Sequence, residues 1–425
     1  MRHVSAAPLL LSLLFANTAH ALTVDCGRLL DVKSGKWRDQ VSVVVDQGKI
    51  VSVDAQQPGG GADHVDLRAY NCLPGLIDSH THLTEQFGPT TYSDQFRLNL
   101  ADAAIVGTVY AKRTLQAGFT TVRNVGDDGN VSIALRNAIN SGLVEGPRMY
   151  SAGMPIGSTG GHADPTDGYR ADLAGDPGPK DGIINSPADA WKAVRQHYKD
   201  GADLIKIMPS GGVLDESRSL DNPQMTEEEI KAVVAAAHDY GFTVAAHAHG
   251  AESIRRAVIG GVDSIEHGTF MDEQDMKLMK EHGTWYVPTV IAGQTVTAKA
   301  KIAGYYPAQV ALKAASVGPK ILDTLGNAYK YGVKIAFGTD AGVYPHGDNA
   351  QEFAYMVQAG MPPIETIRAA TVNAAELLQH ADTLGQVAPG YAADLIAVKG
   401  DPLQDVTILQ HVEFVMKAGV VYKKP

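Results

Sequence analysis

The middle of this chain, residues 74–384, alternates short apolar segments with longer segments of helical periodicity. Apolar runs bounded by turn residues are typical of buried strands. The predicted strands are Leu76–Ser79, Thr120–Val125, Arg148–Ala152, Leu204–Met208, Thr243–Ala246, Ser264–Glu266, Trp285–Pro288 and Val333–Phe337. Repeated βα units of this size predict a (β/α)₈ TIM-like barrel, in which functional side chains lie on the loops that follow the strands.

Both ends of the chain differ from this middle part, because they contain short β-rich segments separated by turn residues. Examples are Val41–Val45 near the N-terminus and Ala393–Val398 near the C-terminus. We therefore expect a small β-sandwich domain that is assembled from residues 22–73 and 385–425. The barrel would then occupy residues 74–384.

The first residues, 1–21, have the pattern of a secretory signal peptide. Arg2 precedes the apolar stretch Ala6–Ala16, and residues 19–21 have the small-x-small pattern of a cleavage site. The apolar stretch is too short to span a membrane. We therefore predict that the mature chain begins near Leu22 and is exported, either to a periplasm or out of the cell.

Composition narrows the possible partners. The chain is 44% hydrophobic and 20% charged, which fits a globular enzyme, and its formal net charge is −11. An acidic chain without a basic cluster is not expected to bind nucleic acid or an anionic membrane surface. We therefore predict a small-molecule substrate, and neither a nucleic-acid nor a membrane partner.

The two cysteines, Cys26 and Cys72, both fall in the predicted β-sandwich domain. Export would permit a disulfide between them. Buried free thiols are also common in proteins, so the sequence leaves both states open.

Two predicted strands end in a His-x-His pattern. His80 and His82 follow the first strand, and His247 and His249 follow the fifth. Because side chains alternate faces along an extended chain, residues two apart point in the same direction. Each pair therefore presents two imidazoles to one region of space, as a metal site requires.

Three further polar side chains lie at the same end of other predicted strands. His267 follows the sixth strand, Asp340 follows the eighth, and Lys206 lies inside the apolar fourth strand. A buried lysine is costly as a bare cation unless it is paired or chemically modified. The histidines His80, His82, His247 and His267, with this aspartate and this lysine, predict one shared polar centre.

The motifs GLIDSHTHL, DLIKIM, AAHAHG, SIEHGT and FGTDAG together resemble those of the metal-dependent amidohydrolase superfamily. The resemblance extends over the whole predicted mature chain. It implies that His80, His82 and Asp340 bind one divalent ion, most commonly zinc, and that His247 and His267 bind a second. It also implies that Lys206 bridges the two ions as N6-carboxylysine, and that Asp340 transfers protons during the reaction.

Within the superfamily, the chain is similar to the branch of Xaa-Pro dipeptidases, related carboxypeptidases and ochratoxin-hydrolysing amidohydrolases. This resemblance implies cleavage of an amide whose amine half is an amino acid with a free carboxylate. The long Gly-, Pro- and Asp-rich loop 154–186 contains His162, which could contact the scissile carbonyl. Candidate substrate-binding residues are His162, His249, Arg255, Arg170 and His346, and Tyr169 and Tyr344 could line a side-chain pocket.

Two alternatives keep the fold but change the function. One is an amidohydrolase that opens a cyclic amide or an imidazolone-type ring, and the other is an inactive barrel that serves as a binding protein. The lysine in the fourth strand argues against the first, and the complete ligand set argues against the second. We also expect the protein to form a homo-oligomer.

Overall fold

The computed structural model describes residues 21–56, 63–215 and 219–425. The predicted signal peptide, apart from its last residue, lies outside the described residues. None of the helices in the described ranges combines the length and the apolar character that a membrane span requires.

Strands and helices alternate through the middle of the chain. The strands are β1 (Leu22–Asp31), β2 (Lys36–Asp46), β3 (Lys49–Ala55), β4 (His64–Pro74), β5 (Leu76–Thr81), β6 (Phe119–Asn124), β7 (Arg148–Ser151), β8 (Ile205–Ile207), β9 (Val244–Ala248), β10 (Ser264–His267), β11 (Trp285–Val287), β12 (Leu395–Val398), β13 (Phe414–Lys417) and β14 (Val420–Lys423).

The α-helices lie mainly between the strands of the middle part. They are α1 (Thr91–Asp94), α2 (Leu100–Gln116), α3 (Val131–Asn140), α4 (Ala171–Ala174), α5 (Pro187–Asp200), α6 (Glu227–Asp239), α7 (Ala251–Gly260), α8 (Glu273–His282), α9 (Val290–Lys299), α10 (Ala308–Tyr331), α11 (Gln351–Gln358), α12 (Pro363–Arg368) and α13 (Ala374–Leu377). Short 3₁₀ or π segments lie at Pro179–Asp181, Ala369–Asn373 and Val406–Gln410.

Strands from both chain ends form one seven-stranded sheet, with the order β14-β13-β12-β4-β1-β2-β3. Only the β1–β4 pair is parallel. An apolar cluster that includes Val24, Leu67 and Phe414 packs within this region. A disulfide joins Cys26 of β1 to Cys72 of β4, which decides between the two states that the sequence left open.

The middle part contains two parallel sheets, β5-β6-β7 and β8-β9-β10-β11. Nearly every residue of these strands is buried, as expected when helices cover parallel strands on the outside. The bridge between Ile156 and Ile207 connects the first sheet to the second. Because carboxyl ends of parallel strands share an edge, the side chains that follow them converge.

The predicted eighth strand, Val333–Phe337, is not a continuous strand in the structure. Isolated bridges take its place: Ile335 bridges to Tyr286 of β11, and Ala341, beyond the end of the predicted strand, bridges to Thr81 of β5. These contacts connect both sheets on the side opposite to the Ile156 bridge. Closure of a barrel requires such pairing on both sides.

The helices α9 and α10 were not predicted from the sequence. The 24-residue α10 is the longest helix in the described part of the chain, and α9 packs against it. Their contact includes Gly293, Val317 and Ile321, which are buried. These two helices form one side of the cavity described below.

Candidate active site and metal centre

A cavity of about 200 Å³ lies at the carboxyl ends of the parallel strands. One side of it, which we call the strand-end wall, is formed by residues that the sequence predicts as metal ligands: His80, His82, Lys206, His247, His267 and Asp340. The predicted substrate-contacting residues His162 and His249 line the same cavity. The structure therefore brings together eight predicted site residues from strands and loops that are far apart in sequence.

Asp340 lies between the two histidines of β5 and its adjoining loop. Its Oδ1 atom is 3.4 Å from Nε2 of His80 and 3.3 Å from Nε2 of His82. One ligand-type atom from each of His80, His267 and Asp340 also lies within 4.8 Å of the others. These separations are compatible with shared coordination of a metal ion by imidazole and carboxylate groups.

The remaining imidazole rings form a continuous cluster. The ring centroids are 4.8 Å apart for His80 and His267, and 4.6 Å apart for His247 and His267. His249 lies 4.7 Å from His247, and His162 lies 4.5 Å from the same ring. Lys206 of β8 reaches the same cavity from a fully buried strand.

Contacts behind the rings determine which nitrogen each histidine presents. Nδ1 of His80 donates to Oε2 of Glu266 at 2.8 Å, and Nδ1 of His82 donates to the carbonyl of Gly126 at 3.0 Å. Nδ1 of His267 contacts Oγ1 of Thr289 at 2.7 Å. All three rings therefore keep Nε2 for a ligand, as metal-binding histidines commonly do.

His247 is oriented in the opposite way. Its Nε2 lies 3.2 Å from the carbonyl oxygen of Gly211, and that oxygen can only accept a hydrogen bond. The contact places the proton on Nε2 and leaves Nδ1 with a free lone pair. The donor set of the strand-end wall thus fits a metal centre of imidazole and carboxylate ligands.

Glu266 holds the ring of His80 on the side away from Asp340, and Arg123 in turn holds Glu266. Both side chains are buried, and Nη2 of Arg123 lies 2.7 Å from Oε1 of Glu266. Burial raises the pKa of Glu266, but the charge of Arg123 and the bond from His80 outweigh it and lower that pKa to about 2. No role was predicted for this pair from the sequence, although Arg123 inside the apolar β6 segment was a visible signal.

Burial also favours the neutral form of four side chains of the strand-end wall, three histidines and one lysine. It lowers the pKa of His80, and it lowers the pKa values of His247 and His267 far below the ordinary range. These rings are neutral at pH 7, as metal ligation requires. Burial lowers the pKa of Lys206 to about 8, so an appreciable fraction of its amine is unprotonated near neutral pH.

The backbone is strained at three positions of this centre. His267, Thr289 and Asp340 have φ angles of 69°, 53° and 61°, in the left-handed region that non-glycine residues rarely adopt. Asp78 stabilises the Asp340 segment, since its carboxylate accepts hydrogen bonds from the backbone and hydroxyl of Thr339. Strain of this kind clusters at functional sites, where surrounding contacts maintain it.

His162 extends into the cavity from the long loop 154–186. Its Nδ1 lies 2.8 Å from Oδ2 of Asp215, and Oδ1 of the same carboxylate binds Nζ of Lys313 at 2.6 Å. The ring also packs against Gly212, where an added Cβ would lie within 2.5 Å of it. His249 is fixed by Thr269, and burial lowers the pKa of His249 to about 3.

Five other predicted substrate-contacting residues do not line the cavity. Arg170 is 74% exposed and pairs with Asp172, whereas Arg255 pairs with Asp272 and Asp275 beside α7. The ring of His346 bonds to the carbonyl of Glu85 and stacks on Tyr110. Tyr169 packs against Phe96 with tilted rings, and Tyr344 is buried in a neighbouring apolar cluster. Their ion pairs and packing partners keep all five elsewhere.

Two other sides of the cavity were not recognised in the sequence. The acidic wall consists of Glu85, Asp127 and Asp128, on the loops after β5 and β6. The apolar wall includes Val213, Leu214, Val296, Val317 and Ile321, several of them from α9 and α10. The doublet Asp127-Asp128 directly after a strand was a signal in the sequence for the acidic wall. The apolar wall depends on long-range packing, which the sequence does not show.

Comparison with known proteins places the chain in a family. The pattern of the amidohydrolase family matches residues 71–423. Ochratoxinase from Aspergillus niger is 33% identical over 373 residues, which cover 83% of this chain and 76% of that protein. The chain therefore belongs to the amidohydrolase family, whose members are generally metal-dependent.

Solved structures identify the branch. A Xaa-Pro dipeptidase with bound methionine superposes with a TM-score of 0.93 at 49% identity, over 95% of this chain and 100% of that one. A prolidase complexed with N-methylphosphonate-L-proline gives a TM-score of 0.86 at 31% identity, over 96% and 100% of the two chains. The predicted branch is confirmed, and the protein is a hydrolase that acts on amide bonds.

Proposed function

We propose that this protein is a binuclear-metal amidohydrolase that cleaves dipeptides or N-acyl amino acids with a free carboxylate on the amine half. The observation that carries the proposal is the convergence of His80, His82, Lys206, His247, His267 and Asp340 on one cavity. The names of the similar proteins support the substrate class, because a Xaa-Pro dipeptidase, a prolidase and an ochratoxinase are among them.

Within this proposal, His80, His82 and Asp340 hold one divalent ion, and His247 and His267 hold the other. Lys206 would be the ligand that both ions share, as N6-carboxylysine, which forms when the unprotonated amine attacks CO₂ and releases a proton. The lowered pKa of Lys206 favours that reaction, because only the neutral amine is a nucleophile. Two bound ions of the zinc class would acidify a water molecule and polarise the substrate carbonyl.

The residues of the chain then move the proton and hold the substrate. Asp340 accepts a proton from the attacking water and delivers it to the amine nitrogen as the C–N bond breaks. Its position between His80 and His82 keeps it next to the reacting atoms. His162, oriented by Asp215, donates a hydrogen bond to the oxygen of the scissile carbonyl as charge develops there.

The experiment for this proposal compares matched substrates with the metal-loaded enzyme. Dipeptides and N-acyl amino acids are tested beside their C-terminal amides and methyl esters. We expect the free acid to be better by about 2 kcal/mol or more, the typical strength of a hydrogen bond to a charged group, which is about thirtyfold in kcat/KM. Equal rates for acid and amide would contradict recognition of the carboxylate.

The proposed scaffold is a closed eight-stranded barrel with a β-sandwich domain beside it. The bridges from Ile335 and Ala341 support closure, and the seven-stranded sheet with its own apolar cluster supports the second domain.

Export and homo-oligomer formation remain predictions. Export is tested by fractionation of cells that express the full chain, and oligomer formation by light scattering of the purified protein.

A further inference from the structure

The acidic wall lies directly beside the strand-end wall. Glu85 follows β5 and Asp127 follows β6, and the two loops are joined where the backbone of Leu83 donates to Oδ1 of Asn124. The contact between His82 and the carbonyl of Gly126 joins them a second time. These contacts hold the two loops that carry the acidic wall next to a predicted metal ligand.

Asp127 has an unsatisfied acceptor in this wall. The residue is 7% exposed, and its Oδ2 accepts the backbone N–H of Ser132 at the start of α3. Its Oδ1 is buried and has no hydrogen-bond partner in the described part of the chain. A buried carboxylate oxygen without a donor is costly, so the geometry calls for a donor from a ligand in the cavity.

The charges around this position are strongly asymmetric. Among the described residues that line the cavity, Lys206 is the single lysine, and no arginine is present. Glu85 lines the cavity and its side chain is 45% exposed; the basic atom beside it is Nδ1 of His82 at 3.6 Å, which already binds the carbonyl of Gly126. Three carboxylates whose one basic neighbour among these lining residues is Nδ1 of His82 favour a cationic group on the substrate.

We propose that the acidic wall binds the free α-ammonium group of a dipeptide, so that the enzyme is a dipeptidase rather than a hydrolase of N-acyl amino acids. This inference rests on the proposed function. The α-ammonium nitrogen is two bonds from the scissile carbonyl carbon, which keeps it close to the metal centre. The acidic wall is also close to that centre, since Glu85 lies beside the ring of His82.

The test uses three substrates that share the leaving amino acid preferred in the panel described above. The first is the alanyl dipeptide, the second is its N-acetyl derivative, and the third is the propionyl analogue, in which hydrogen replaces the ammonium group. We expect kcat/KM for the alanyl dipeptide to exceed the other two by about tenfold to a hundredfold, as for a charged hydrogen bond. Nα-acetyl-lysyl and propionyl-lysine substrates carry a cation on the lysine side chain but no α-ammonium group. They test whether the acidic wall recognises a side-chain cation instead.

Variants assign the preference to residues. Asp127→Asn keeps an oxygen that can accept the N–H of Ser132, so α3 retains its contact while the charge is removed. Glu85→Gln changes a side chain that lines the cavity. We expect each to reduce the ratio of kcat/KM between the alanyl and propionyl substrates at least about fivefold, with the metal content of the wild type. Asp239→Asn, on the exposed face of α6, serves as the matched control.

The outcomes separate this inference from the proposed function. Equal kcat/KM on the three substrates, or a preference for the propionyl or acetylated one, would overturn recognition of the ammonium group and leave the amidohydrolase assignment intact. A rate advantage that appears only with lysine side chains would also overturn it. If the metal-loaded enzyme cleaves none of the substrates, the proposed function itself fails. If Asp127→Asn and Glu85→Gln lose metal and all activity together, the acidic wall has a structural role instead.

Discussion

The strand-end wall and the acidic wall both place charged groups in one cavity, but they differ in how those groups are satisfied. On the first, His80, His82 and His267 each have a partner behind the ring, and Glu266 is itself paired with Arg123. On the second, Oδ1 of Asp127 has no partner in the described residues. Preorganised groups suit chemistry that is common to a family, whereas open acceptors on loops suit recognition of one substrate.

The largest effect should come from the strand-end wall. We expect Lys206→Ala to lower turnover by more than about a thousandfold, because it removes the proposed bridging ligand, and to reduce metal content below two ions per chain. Metal analysis and kcat/KM on the best dipeptide provide the measurement, and acetate should restore a small part of the rate. Lys417→Ala is a matched control, because burial also lowers the pKa of Lys417 to about 8, outside the cavity. Full activity of Lys206→Ala would contradict the bridging role.

A variant of Asp340 tests whether its role as a metal ligand can be separated from its role in proton transfer. Asp340→Asn keeps the shape and one ligand oxygen but removes the base. We expect a rate loss of at least about a hundredfold, the lower range for general acid–base catalysis, with much of the metal retained. Rapid-mix kinetics and metal analysis of the same sample measure both. Near-normal turnover would assign the proton transfer to another group, with His162 as the next candidate.

The support behind His80 should have an intermediate effect. Glu266→Gln cannot accept hydrogen bonds from both Arg123 and His80, so we expect metal affinity to fall about tenfold to a hundredfold. Competition with a chromophoric chelator measures that affinity. Glu229→Gln, in the capping box of α6 away from the cavity, controls for the general effect of replacing a carboxylate. Unchanged affinity in Glu266→Gln would mean that the strand-end wall is less preorganised than its contacts suggest.

The smallest effect on catalysis should come from a change in the seven-stranded sheet that both ends of the chain form. Removing the disulfide with a Cys26→Ala and Cys72→Ala double change should lower the free energy of unfolding by about 2–4 kcal/mol, the typical contribution of such a bond. Chemical denaturation measures this change, and kcat should be preserved because neither cysteine lines the cavity. A proportional loss of kcat would show that this sheet contributes to the geometry of the cavity.

The sequence by itself determined the mixed α/β character, membership of the amidohydrolase family and the hydrolase activity. It could do so because the strand-end motifs are local: apolar strands and His-x-His spacing are visible within a few residues. Helical patterns over Pro187–Asp200 and Ala251–Gly260 in the sequence also predict two helices, and α5 and α7 have these bounds, because a helical pattern is local as well.

Only the tertiary structure decided the contacts between distant segments. It paired His80 with Glu266, 186 residues away, and joined His162 to Asp215 and Lys313. It also turned Arg170 and Arg255 toward acidic neighbours outside the cavity, although their charge alone had made them candidates. The physical reason is that the alternation of buried and exposed residues within one strand or helix is visible in its own sequence. The direction of a loop side chain depends instead on every element packed around it.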